Sequence, residues 1–185
     1  MKDDERMNSL QVAEYQTLRA TIQQRGTARL TLALVAFVAW AGLAVAIHVL
    51  AAAPVLSLVS LTVLAAGFEI VFALHVGVER IGRYLQVYYE VADVPPAWEH
   101  VAMLGGVRLR RPPGGLDPLF GGLFLFAVVL NLLPVALSAE PIEGIVLGVF
   151  HAGVVARIVV SHRFASNQRA RDLEVLTQMR ANPRA

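Results

Sequence analysis

Glu69, Asn131 and His151 are the side chains of this sequence best suited to chemistry, because each sits inside a long apolar run. A charge placed in hydrocarbon costs at least about 2.5 kcal/mol, so an ionisable group there has to be neutral, paired or at work. For Glu69 the working role is a proton or cation site. The structural alternative is a neutral carboxyl hydrogen-bonded to Asn131, Ser60 or a backbone carbonyl. His151 has three readings: a partner for Glu69, a ligand of haem b, or a donor of a structural hydrogen bond, the commonest fate of a lone histidine among packed helices. Asn131 would line a pathway beside these two or bind across the helices.

A second polar group, His75, Glu79, Arg80 and Arg83, follows the apolar run that contains Glu69. Glu79 and Arg83 stand four residues apart, the spacing of a helical ion pair. His48 and Arg157 fall near the ends of apolar runs, where the side chain can reach water. Gly144, Gly148, Ala152 and Ala156 place a small residue at every fourth position, a pattern that lets two helix backbones approach closely. Haem b would need histidines from facing helices at one depth, a condition His75 and His151 do not meet. The similarity of His75-Val76-Gly77-Val78 to His151-Ala152-Gly153-Val154 is read as coincidence for the same reason.

These residues are positioned by apolar stretches of membrane-spanning length. From Leu30 to Phe68 there is no Asp, Glu, Lys or Arg, and one helix of that length would be roughly twice the thickness of a hydrocarbon core. Two spans are therefore expected, about 30–50 and 55–77, with the turn at Ala51-Ala52-Ala53-Pro54 because proline cannot continue a preceding helix. A third span is expected at 119–138 and a fourth at about 142–160, joined at Glu140-Pro141-Ile142-Glu143. On this register Glu69 lies about 21 Å along span two and His151 about 14 Å into span four. The expected fold class is all-α, an integral membrane four-helix bundle of two transmembrane hairpins with cytoplasmic helical extensions. Residues 1–29 form a partly helical N-terminal segment, with a helix from about Asn8 to Gln24, and 30–160 the four-span domain. Span two runs on as a helix past residue 77 into a cytoplasmic connection, 78–118, with loop character after Pro95. Residues 161–185 form a C-terminal helix and tail.

Orientation follows from the basic residues, which fall in the N-terminal segment, the connection between spans two and three and the C-terminal part; the other two turns carry none. By the positive-inside bias both termini are expected in the cytoplasm, with Glu140 and Glu143 on the opposite side. A signal peptide is not expected, because the polar segment ahead of the first apolar run is too long. Of 185 residues, 56% are hydrophobic and 16% charged, and the net charge is only +2. That composition belongs to a protein whose main solvent is lipid. The arginines do not gather into an aromatic-laced patch, so nucleic acid is not an expected partner. The absence of cysteine excludes disulfides, thiolate catalysis and zinc-thiolate sites. Lys2 is the only lysine among sixteen basic residues, a bias that suggests a bacterial gene and hence the bacterial inner membrane. No nucleophile and base pair, phosphate loop or His-Glu zinc motif stands out, so no enzyme chemistry and no cofactor is expected. The leading functional reading is a non-catalytic membrane subunit, scaffold or sensor. Its partners would be the lipid bilayer, a second copy of the chain, or another cytoplasmic or membrane protein. The alternatives are a small homo-oligomeric channel or proton-coupled transporter using Glu69, and a b-type haem membrane anchor.

Overall fold

The computed structural model describes residues 2–50, 53–90 and 117–182, so most of the expected connection, including Trp98 and the basic run Arg108, Arg110 and Arg111, lies outside the described residues. The regular elements are α1 (Lys2–Leu50), a single 3-10 turn (Pro54–Leu56), α2 (Ser57–Tyr88), α3 (Pro118–Ser138) and α4 (Pro141–Ala181). All four α-helices are long and apolar enough to cross a membrane. The described regular structure is entirely helical.

Helix ends follow local chemistry. Ala53 is extended (φ −100°, ψ 115°), as a residue before proline must tend to be, and Pro54 opens the 3-10 turn that leads into α2. Asp117 caps α3 by accepting from the Leu119 amide at 3.0 Å, with Pro118 in the first turn where no N–H is needed. Ala139 is again extended before Glu140 and Pro141, and the Glu140 carbonyl accepts from the Gly144 amide at 2.8 Å. Two segment boundaries of the sequence reading fall inside continuous helices. The N-terminal helix and first span are one helix, and so are the fourth span and the C-terminal helix. Gly26 in a helix interior costs only about 1 kcal/mol, too little to end a helix of 49 residues. Ser161 turns its hydroxyl back to the Arg157 carbonyl at 2.8 Å, which a continuous helix accommodates.

The chain divides into two compact units. One, Arg29–Ala73 with Leu116–Phe164, is packed from apolar side chains. Phe124 and Phe68 are almost fully buried and meet edge to face at a centroid distance of 5.5 Å. Phe37 lies 4.8 Å from Phe124, and Phe68 stacks on Phe72 at 5.9 Å, so rings from α1, α2 and α3 form one continuous cluster. Beside it α1 and α2 approach closely at Gly67, where a Cβ would collide with the Cβ of Ala36. Ala36 is fixed to a helix backbone and has no rotamer in which to retreat.

The other unit, Met1–Ala28 with Leu74–Gly115 and Ala165–Ala185, contains ion pairs between its helices beside a cluster of tyrosine rings. Arg83, only 4% exposed, bonds to Glu79 at 3.3 Å and to Asp172 of α4 at 3.0 Å. Arg19 of α1 pairs with buried Glu90 at 3.2 Å, and the Tyr84 hydroxyl donates to Glu14 at 3.0 Å. Burial first, and the Glu14 carboxylate second, hold the Tyr89 phenol above its ordinary pKa, so it stays protonated at physiological pH.

The Gly67 contact predicts that Gly67→Leu lowers the thermal unfolding temperature in detergent well below that of Gly122→Leu, since a Cβ at Gly122 meets no atom within 4 Å. Equal unfolding temperatures for the two variants would show that α1 and α2 separate there without cost.

Candidate functional site

The polar centre of the apolar unit is the carboxamide of Asn131, which is 5% exposed. Its Oδ1 accepts from the indole Nε1 of Trp40 at 3.0 Å and from the Ser60 hydroxyl at 2.7 Å. Its Nδ2 donates to the Ser57 carbonyl at 3.1 Å and reaches Nε2 of His151 at 3.0 Å. A carboxamide has two N–H groups and two lone pairs, so Asn131 is saturated. The partners come from α1, α2 and α4, so one side chain of α3 ties together all four helices.

The identity of those partners fixes the protons. An indole N–H can only donate and a backbone carbonyl can only accept, so Asn131 cannot be flipped. Nδ2 must then donate to His151, which makes Nε2 of the imidazole an acceptor. The ring proton is therefore on Nδ1, which donates to the Leu147 carbonyl at 2.8 Å. Both nitrogens of this 2% exposed histidine are engaged, which leaves no lone pair for a haem iron. Among the described residues no group of three or more His, Cys, Asp or Glu is arranged to hold a metal ion.

Glu69 is not part of this network. Its carboxylate forms a two-pronged pair with Arg157 of α4, Oε1 with Nε at 2.7 Å and Oε2 with Nη2 at 2.8 Å. The remaining nitrogen of Arg157 donates to Ser161 at 2.7 Å, and its guanidinium lies 5.6 Å from the centre of the Phe72 ring. The side chains of Glu69 and Arg157 are 46% and 47% exposed. The expected pairing of Glu69 with Asn131 or His151 thus gives way to a bidentate ion pair, the geometry for which a guanidinium is best shaped. Arg157, expected to reach for water, reaches for Glu69.

In the charged unit His75 is buried, and it lines a small gap with Glu79 and Arg83. Arg80 approaches Asp172 at 3.7 Å with most of its side chain exposed, so three members of the expected cluster share the neighbourhood of α4 through Arg83 and Asp172. The small-residue stripe lies apart from the Gly67 contact. A Cβ at Gly148 meets nothing within 4 Å, and Ala152 and Ala156 are exposed and line an apolar groove with Gly148. Gly144 touches only the Ala139 methyl, at 3.8 Å from its would-be Cβ.

Sequence reasoning missed Trp40 and Ser57. Trp40 is an ordinary apolar-run residue until Asn131 is known to face it. Ser57, near the start of α2, resembles a turn residue. Spacing along the chain carries no sign of either partnership, which spans 91 and 74 residues respectively. No family model, no curated protein and no solved structure matches this chain.

Replacing Asn131 by leucine breaks four interhelical bonds, and at roughly 0.6 kcal/mol for each such bond between membrane helices the loss is about 2 kcal/mol. Asn131→Asp is expected to do at least as much harm, since an oxygen would then face the Ser57 carbonyl and the Nε2 lone pair. Chemical denaturation in mixed micelles measures both, and an aspartate variant as stable as the parent contradicts the proton assignment.

The ion pair makes a different prediction. Arg157→Leu alone leaves a carboxylate against apolar surface, whereas Glu69→Leu with Arg157→Leu removes both charges, so the double variant should recover at least about 1 kcal/mol relative to the single one. A double variant less stable than Arg157→Leu would mean that the two charges do not act as a pair.

Proposed function

We propose that this chain is a multi-pass protein of the bacterial inner membrane with both termini in the cytoplasm, acting as a non-catalytic subunit, scaffold or sensor. In this reading the apolar unit is the four-helix bundle that resides in the bilayer. The charged unit lies in the cytoplasm and presents its helices to a protein partner. The observation that carries the reading is the state of the ionisable and polar candidates. Asn131 and His151 are saturated by one another and by Trp40, Ser57, Ser60 and Leu147, and Glu69 is neutralised by Arg157. A transport site needs a group that can exchange a proton or ion, and groups locked in saturated bonds serve to fix helix positions instead.

The charged unit supports the same division. Ion pairs such as Arg83 with Asp172 and Arg19 with Glu90 join the helices of this unit, each buried charge being matched by its partner. Lys2, Arg6, Arg19, Arg25, Arg80, Arg83, Arg169, Arg171, Arg180 and Arg184 are in the segments assigned to the cytoplasm, consistent with the positive-inside bias.

Single cysteines in this cysteine-free chain test the arrangement. Ser9 and Ser166 should react with an impermeant maleimide only after cells are opened, and Ala52 and Ala139 in intact cells; the reverse pattern overturns the topology. In liposomes a pH gradient should decay at the same rate with the parent protein and with Glu69→Gln. A flux that the parent supports and Glu69→Gln abolishes would replace the scaffold reading with a proton-coupled transporter.

A further inference from the structure

Glu69 and Arg157 neutralise each other, yet their hydrogen-bonding capacity is not filled. A guanidinium carries five N–H groups, and Arg157 engages three of them, Nε and Nη2 with the carboxylate and Nη1 with Ser161. One N–H on Nη1 and one on Nη2 are left over. A carboxylate offers about four lone-pair sites, and the same bonds occupy only half of those on Glu69. With the two side chains 46% and 47% exposed, the pair opens on the surface of the apolar unit rather than into its core.

Acyl chains cannot fill that capacity. Glu69 lies about 18 Å along α2 from Ser57 and Arg157 about 24 Å along α4 from Pro141, both short of the roughly 30 Å of a hydrocarbon core. Lipid tails offer neither donors nor acceptors at that depth. The face around the pair also admits close approach by another helix. Along α2, Val59, Thr62, Ala66, Glu69 and Ala73 recur at alternating steps of three and four residues, the spacing of a helix-pairing seam. All of them but half-exposed Glu69 are exposed, and three are small. On α4, Gly153 is exposed one turn before Arg157, and a Cβ there meets no atom within 4 Å.

A cation and an anion side by side form a surface that complements itself. All copies enter the membrane in one sense, so a two-fold axis relating two of them runs along the membrane normal and leaves depth unchanged. The charged groups of Glu69 and Arg157 share one depth, being 2.7 Å apart. Rotation by 180° therefore sets the guanidinium of each copy opposite the carboxylate of the other, leftover N–H groups against leftover lone pairs. A phospholipid phosphate would accept from Arg157 but stand against the Glu69 carboxylate, so it matches only half of the face. We propose that the exposed face of α2 and α4 around Glu69 and Arg157 is a homodimer interface, in which two ion pairs close into a four-charge cluster flanked by Ala66 and Gly153. The proposal rests on the membrane-spanning reading, which cysteine labelling tests separately.

The full chain, carrying one dye on Ser9→Cys, is diluted in phosphatidylcholine liposomes and its copies are counted by single-molecule photobleaching. The expected result is a monomer–dimer isotherm that saturates at two copies. Glu69→Leu with Arg157→Leu should move its midpoint at least about tenfold toward higher protein mole fraction, the effect of losing several interhelical bonds. Gly153→Leu, whose side chain enters open space in the monomer, should do the same by holding the faces apart. In the otherwise cysteine-free chain, Ala66→Cys should cross-link under mild oxidation, and Leu34→Cys, 64% exposed on α1 in the parent, should not. Single copies at every mole fraction, or a midpoint unmoved by removal of both charges, overturn the proposal. Equal cross-linking at the two positions overturns it as well. A chain that stays monomeric, and whose thermal stability rises with phosphatidylglycerol only while Arg157 is present, would assign the face to an anionic lipid headgroup instead. The cross-linking arm keeps the ion pair unaltered, so it decides the matter even where a charge variant fails to fold.

Discussion

A buried carboxamide can be satisfied only by two donors and two acceptors, and Asn131 finds all four on other helices. In an apolar solvent this matters more than the number of bonds suggests. Lipid tails are as apolar as leucine, so helices gain little by hiding leucine from them, and packing plus interhelical hydrogen bonds must set their positions. Trp40, Ser60, the Ser57 carbonyl and His151 each have to arrive at one amide in the correct donor or acceptor sense. A helix rotated by one residue, about 100°, would carry its contribution away from the amide. The phenylalanine cluster supplies contact area without such discrimination, because Phe37, Phe68, Phe72 and Phe124 could repack against many partners.

The Glu69–Arg157 pair works under a different rule. Both side chains are about half exposed, so the pair is not sealed in the core as Asn131 is. Its two parallel bonds cancel the charges at short range, and Ser161 and the Phe72 ring take up the rest of the guanidinium. An isolated carboxylate on an apolar surface would be expensive, but a bidentate pair approaches the surface as a dipole. This pair links α2 to α4, while Asn131 links those helices to α1 and α3 as well. The two polar fixtures therefore constrain overlapping sets of helices by chemically independent means.

The charged unit relies on arginine where the apolar unit relies on an amide. Arg83 is nearly buried yet holds two carboxylates, Glu79 on its own helix and Asp172 on α4, so the charge that burial would penalise is matched in place. Arg19 and Glu90 repeat the arrangement between α1 and the end of α2. The difference in chemistry between the units follows the segregation of charge in the sequence, where the residues 30–68 and 119–138 carry none.

The sequence by itself determined that the chain is helical, where the apolar helices turn, and which polar side chains lie in apolar surroundings. Those conclusions depend on local quantities: hydropathy over about twenty residues, proline at 54 and 141, and the four-residue spacing of Glu79 and Arg83. It also put Asn131 and His151 on a short list, because a polar residue in an apolar run is conspicuous in one dimension. Only the tertiary structure decided the partnerships. That Glu69 meets Arg157 rather than Asn131, that Trp40 supplies an indole to the same amide as Ser60, and that α1 and α2 touch at Gly67 rather than along the small-residue stripe of α4 all depend on how each helix is rotated about its axis. Rotation is set by the sum of many weak contacts between residues far apart in the chain, and no spacing within a single helix encodes it.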